Sequence, residues 1–310
     1  METSIKRILY LDILRIVAIL GVIVLHVNCR SFNQNAYHFY WSLSTYCVPI
    51  FFMVSGAIFL NREIGIKTIY SKYIFRIVAA FVFWSFLYAF MRRKGTFIEA
   101  FLIGEFHMWF MFVIVGFYMA VPVLRKITEN KKILEYFLII SFIVSILIPS
   151  LQSLLAPSLV KMLEMLNLNI FSSTFYFLIG YYLHTYTISK RKHILIYMLG
   201  LICLLTIIFY KNFAINETVY AISIFLAFKD VVPRIQIKAN LVAIIEKIAR
   251  LTFGVFLVHI MAFRVLLNLI YLPPFNSYIL IPVLLITVYL ISLFVTYLFS
   301  NIPILNKYII

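Results

Sequence analysis

Arg15 and His26, eleven residues apart inside one apolar run, are the residues of this chain best suited to chemistry. The run reads Leu9-Tyr-Leu-Asp12-Ile-Leu-Arg15-Ile-Val-Ala-Ile-Leu-Gly-Val-Ile-Val-Leu-His26. An ionised side chain at the centre of a membrane helix costs roughly 2.5–3.5 kcal/mol. Keeping one there requires a partner, a water-filled cavity or a chemical task. At 1.5 Å per residue, His26 lies about 16 Å further along the helix than Arg15, three turns away and on nearly the same side. Asp12 and Arg15 stand at i, i+3 and can pair on one face. A histidine titrates near neutrality and can act as a base or carry an acyl group. A guanidinium suits the geometry of phosphates.

Other ionisable groups fall at matching depths. Glu105, His107 and Trp109 open the fourth apolar run, and His259 and Arg264 lie in the ninth. Arg76, with Lys72 a turn earlier, opens the third. His26, Glu105, His107 and Arg264 are expected in the outer half of the membrane, with His259 deeper. Arg15 and Arg76 are expected in the inner half. The pattern is a polar channel, positive inside and rich in imidazole outside. Each residue also has a structural role open to it. Arg76 and Lys72 can snorkel from a span end, and Asp12 can serve only to neutralise Arg15. His107 can sit at an interface, as can His38 and His184, and His259 can be a hydrogen-bonded packing residue.

These residues must be positioned by membrane helices. The chain is 64% hydrophobic and 12% charged, with mean hydropathy +1.04. That composition excludes an ordinary soluble domain and favours helices that satisfy their own backbone hydrogen bonds in lipid. Ten spans are expected, near 8–28, 38–60, 70–91, 104–124, 133–151, 170–187, 194–210, 213–230, 243–271 and 277–300. The fold class is therefore all-α, a polytopic bundle of about ten transmembrane helices, forming a single membrane domain over 1–310. The ninth span is expected to begin as an amphipathic stretch at the surface, Asn240 to Arg250. The loop 152–169, with Ala156-Pro157-Ser158, is expected on the membrane surface. There is no clear internal repeat of the kind found in many transporters.

The net charge of +16 follows from 27 Lys and Arg against 11 Asp and Glu. Its distribution fits topology rather than nucleic-acid binding, because the basic residues lie in short clusters between apolar runs. With the N-terminus inside, 18 Lys and Arg fall in inner segments, 6 in outer segments and 3 within spans. Both termini are thus expected in the cytoplasm of a multi-pass cell-membrane protein. Lys6 and Arg7 before an apolar run imitate a signal peptide. Asp12 and Arg15 interrupt that run, however, and no cleavage site follows, so the helix is expected to be retained. Cys29, Cys47 and Cys203 show no metal-ligand spacing, and no metal is expected.

At these residues the chain resembles the membrane acyltransferase family 3. Leu11-Asp12-Ile13-Leu14-Arg15 followed by His26 is similar to the family's first helix, an arginine, ten residues and a histidine. Phe51-Phe52-Met53-Val54-Ser55-Gly56 resembles its second helix, and His107-Met108-Trp109-Phe110 with Val121-Pro122-Val123-Leu124 its fourth. Phe177-Leu178-Ile179-Gly180-Tyr181-Tyr182-Leu183 resembles the sixth, Phe253-Gly254-Val255-Phe256-Leu257-Val258-His259 the ninth, and Ile302-Pro303 the end. The motifs run in order along nearly the whole chain. One position departs: many members open the third helix with Arg-x-x-Arg, where this chain has Tyr73-x-x-Arg76 and Lys72 alongside.

The resemblance implies a membrane acyltransferase of the stand-alone branch, without the extracytoplasmic hydrolase-like domain of some members. It implies acyl-CoA, usually acetyl-CoA, as the donor from the cytoplasm, and a hydroxyl of a surface glycan or lipid-linked sugar as the acceptor. His26 is then expected to be catalytic, as base or acyl carrier, with Arg15 binding CoA or orienting the thioester and Asp12 holding Arg15. Arg76 and Lys72 are expected at the CoA phosphates. His107, Trp109, Glu105, His259 and Arg264 are expected on the acceptor side. Partners are membrane lipid, acyl-CoA and the glycan, with no nucleic acid. A flippase or transporter for a lipid-linked sugar, and a sensor without chemistry, are the competing classes.

Overall fold

The computed structural model describes residues 8–27, 32–91, 96–152, 155, 159–161, 172–269 and 276–310. Among them the secondary structure is helical, with no strand. In chain order the main helices are α1 (Leu9–His26), α2 (Gln34–Ser44), α3 (Cys47–Phe59), α4 (Ile66–Met91), α5 (Phe97–Ile103), α6 (Trp109–Thr128) and α7 (Lys131–Leu151). They continue with α8 (Ser172–Thr185), α9 (Lys190–Phe209), α10 (Ala214–Val231), α11 (Ala239–Leu269), α12 (Ser277–Ser300) and α13 (Pro303–Tyr308).

Seven stretches are long and apolar enough to cross a membrane: α1, α2 with α3, α4, α5 with α6, α7, α9 and α12. The other three expected spans coincide with α8, α10 and α11, which are not among these seven. Side chains such as Phe209 and Tyr210, 81% and 82% exposed, and Ile194, Leu195, Met198 and Ile202 on α9 form an outer apolar surface. A surface this apolar belongs against lipid. The loop expected on the membrane surface at 152–169 lies largely outside the described residues.

Two expected spans are built from interrupted helices. The second is not one helix from 38 to 60 but α2 and α3 with a break at Thr45 and Tyr46. Pro49 has no N–H to give the carbonyl of Thr45, four residues back, and the Thr45 hydroxyl turns back to donate to Ser42 O at 3.1 Å. The fourth does not run as a helix from 104. Gly104, at φ 72° and ψ −168°, ends α5 in a backbone region open essentially to glycine. A tight turn over Phe106–Met108 follows, and α6 begins only at Trp109. A side chain at Gly104 would press on Phe81 and Ser85, both 2.9 Å from its Cβ position. In the ninth span, Asn240 to Arg250 forms the mostly exposed first third of one continuous helix, α11, of 31 residues.

α1 is the central element, packed against α2, α3, α10, α11 and α12. Its Leu14, Ala18, Ile19 and Ile23 are fully buried. α3 and α8 cross backbone to backbone, because a methyl at Gly56 would collide with the Phe177 carbonyl and one at Gly180 with the Met53 carbonyl. Small residues permit this approach between helices that have no hydrophobic drive to associate in lipid. The first turns of α4, Ile69–Ile74, are π-helical and lead directly to Arg76.

Candidate active site

A cavity of about 900 Å³ runs alongside α1. Asp12, Arg15 and His26 from α1 line it, joined by Arg76 from α4, by His107 in the turn before α6 and by Trp109 at the start of α6. The three polar residues of the first helix thus open onto one space, with the arginine towards one end and the histidine towards the other. Asp12 is buried and lies 3.7 Å from the Arg15 guanidinium, which lowers the cost of holding that charge in the membrane.

At the imidazole end, His26, His107 and His259 converge. Their ring centroids are 5.0 Å apart for His26–His259, 5.0 Å for His107–His259 and 6.2 Å for His26–His107. His259 is buried and does not line the cavity; it stands behind His26. Its Nδ1 is 2.6 Å from the carbonyl oxygen of Phe256, and its Nε2 is 3.0 Å from Nδ1 of His26. A carbonyl only accepts, so His259 Nδ1 carries the proton. In the neutral ring, Nε2 then accepts from His26 Nδ1–H. The lone pair of His26 is left on Nε2.

Tyr88 fixes α11 at this point. Its hydroxyl donates to Leu257 O at 2.7 Å and accepts from the Met261 amide at 3.2 Å, two residues either side of His259. Tyr88 also packs edge-on against His107. His107 is 1% exposed, and neither ring nitrogen has a hydrogen-bond partner. Buried polar atoms are seldom left this way, and His107 faces the cavity. Among the described residues no group of three or more His, Cys, Asp or Glu is arranged to hold a metal ion.

The opposite end is basic. Beside Arg15 and Arg76, the cavity wall includes Arg62, just beyond α3, and Arg250 of α11. The half-buried Tyr118 lines the same wall as Arg15, Arg62 and Arg76. Tyr73, which stands where many family members have a second arginine, lines the same wall. Arg62 and Arg250 were not singled out from sequence, because the first reads as a loop charge and the second as the polar side of an amphipathic helix. Tyr88 and Tyr118 carry no sequence signal that separates them from the other tyrosines.

The remaining expected residues fall outside the cavity wall. Lys72 is exposed and not on the wall. Glu105 and Arg264 pair with each other at 2.7 Å, and Glu105 also accepts from the Phe106 amide at 3.3 Å. That pair ties the turn carrying His107 to α11.

A helical fold with seven stretches able to cross a membrane, and a cavity lined by imidazoles at one end and guanidiniums at the other, is that of a multi-pass membrane protein with an internal polar site. The chain belongs to the membrane acyltransferase family 3: the family's model, described as an acyltransferase domain, matches residues 8–301. The molecule is accordingly a membrane acyltransferase. No curated protein and no solved structure shows significant similarity to it.

Proposed function

We propose that this acyltransferase, one membrane domain with both termini cytoplasmic, moves an acetyl group from acetyl-CoA to a hydroxyl of a surface glycan or its lipid-linked precursor. The observation that carries the reading is the His259–His26 hydrogen bond. It orients His26 and leaves the Nε2 lone pair available in a cavity whose other end is lined by four arginines. Arg15, Arg62, Arg76 and Arg250 suit the phosphates of CoA. The excess of Lys and Arg in the inner segments supports a cytoplasmic position for that end.

In the reaction, His26 Nε2 takes the proton of the acceptor hydroxyl as its oxygen attacks the thioester carbonyl. A C–O bond forms, the tetrahedral intermediate collapses, and the C–S bond breaks. The CoA sulfur leaves with the proton from His26. His107, with two ring nitrogens lacking protein partners, is placed to donate to the oxyanion. His259 keeps His26 in the productive tautomer, and Asp12 holds Arg15. Trp109 forms part of the wall between the imidazoles and the acceptor.

The test is alkali-releasable acetate on envelope glycans of a deletion strain. The strain is complemented with wild type or His26→Ala at equal membrane levels. Ester restored by wild type and not by the variant is expected. Equal ester in all strains, with a glycan export defect in the deletion alone, would favour a transporter.

A further inference from the structure

His26 faces the large cavity on one side and meets Phe106 on another. The phenyl ring packs edge-on to the imidazole, with centroids 5.0 Å apart, and its centroid lies 6.0 Å from that of His107. Phe106 is not on the cavity wall, and it is 58% exposed. On this side a single aromatic ring stands between His26 and the surface of the protein.

The segment that carries Phe106 is lightly held. α5 has only seven residues, packs chiefly on α4 and leaves Ile98, Leu102 and Ile103 exposed. Gly104 joins α5 to the Phe106 turn through a backbone conformation that other residues rarely adopt. Beyond the turn the chain is fixed again, by the fully buried Met108 and the start of α6 at Trp109. Between these two points, the Glu105–Arg264 ion pair at 2.7 Å ties the turn to α11. The Glu105 side chain is mostly buried, but that of Arg264 is 38% exposed. Ion pairs that reach the surface contribute little to stability, so this one fastens the turn without locking it.

We infer that Phe106 is a gate over His26 and that the Glu105–Arg264 pair is its latch. When the pair parts, the turn swings about Gly104 and the phenyl ring uncovers the imidazole. The inference rests on the acyl-transfer reading of His26. With a donor in the cavity, a second substrate needs a way to His26 other than the arginine-lined end, and the open gate supplies one. The closed gate keeps water from the base and the thioester. Hinged segments that seal a site in this manner govern entry and release in many enzymes.

The thiol of a His26→Cys variant reports on the gate without any need for activity. The full chain is prepared with Cys29→Ser, Cys47→Ala and Cys203→Ser, which removes its three natural cysteines. It is placed in lipid nanodiscs, where both faces meet solvent. The probe is 2-(trimethylammonium)ethyl methanethiosulfonate, a water-soluble cation that the arginine-lined end repels. Slow modification is expected with the gate intact. Phe106→Ala and Glu105→Gln should each speed it at least tenfold. The exchange Glu105→Arg with Arg264→Glu should bring the rate back towards that of the parent. Thermal melting reports that each variant is folded.

No acceleration in Phe106→Ala, or a parent already modified as fast, would overturn the gate. Acceleration in Phe106→Ala with none in Glu105→Gln would overturn the latch. The acyl-transfer reading fails by a different measurement. Normal ester formation by His26→Ala removes that reading whatever the labelling rates. Loss of ester in His26→Ala, with labelling rates unmoved by Phe106→Ala, removes the gate alone.

Discussion

At one end of the large cavity, imidazoles are locked by a backbone carbonyl, a ring-to-ring hydrogen bond and a tyrosine that pins the supporting helix. At the other, guanidiniums on long stems arrive from α1, the end of α3, α4 and α11. The first arrangement has one working geometry. On the proposed acyl-transfer reading, the second acts through summed positive charge, to which each arginine adds a part. Loss of a group at the imidazole end should therefore strike turnover, and loss at the arginine end should strike donor affinity in graded steps.

The largest effect is expected for His26→Ala. General base catalysis contributes roughly 10²–10⁴-fold, so kcat for acetyl transfer should fall about 10³-fold with the KM for acetyl-CoA little changed. A loss confined to KM would erase the distinction between the two ends. His259→Leu comes next. It removes the acceptor for His26 Nδ1–H but leaves His26 in place, and kcat should fall about 10²-fold, the lower end of that range. Purified protein and single-turnover kinetics check both.

Arg76→Gln tests the other end. A tenfold rise in the KM for acetyl-CoA is expected, about 1.4 kcal/mol, with kcat within about twofold. Arg62→Gln and Arg250→Gln should follow in the same direction with smaller rises. The smallest change is expected for Lys72→Gln. Lys72 is exposed and off the cavity wall, so KM should move less than twofold, in keeping with the low worth of exposed charges. A rise as large as that of Arg76→Gln would extend the donor site beyond the cavity.

One scaffold variant separates chemistry from packing. Gly180→Val forces a side chain into the Met53 backbone at the α3–α8 crossing. Overpacking costs typically about 1–3 kcal/mol, and a rigid backbone neighbour places this site at the upper end. Thermal melting in detergent should show the loss, whereas His26→Ala should melt as wild type does.

Much of the site was legible because its first three residues share one helix. Asp12, Arg15 and His26 need only the helical repeat to fall on one side, and that repeat is local. The apolar runs were legible for the same reason: burial in lipid demands a continuous apolar stretch and internal hydrogen bonding. The breaks were less so. Pro49 announces a missing donor, yet the break falls earlier, at Thr45 and Tyr46, where the Tyr46 hydroxyl bonds Val17 of α1, a contact between helices. Gly104 was passed over because a lone glycine in an apolar run does not declare its φ.

By itself the sequence determined that the chain is a helical membrane protein, that it belongs to an acyltransferase family, and that Arg15 and His26 face one side of α1. Composition, periodicity and ordered motifs are properties of neighbours along the chain. The tertiary structure alone decided that His259 stands behind His26 across 233 residues, and that Arg62 and Arg250 join Arg15 and Arg76 on one wall. Contacts of this kind depend on which helix faces pack together, and a single chain's order of residues does not specify that pairing until the helices are assembled.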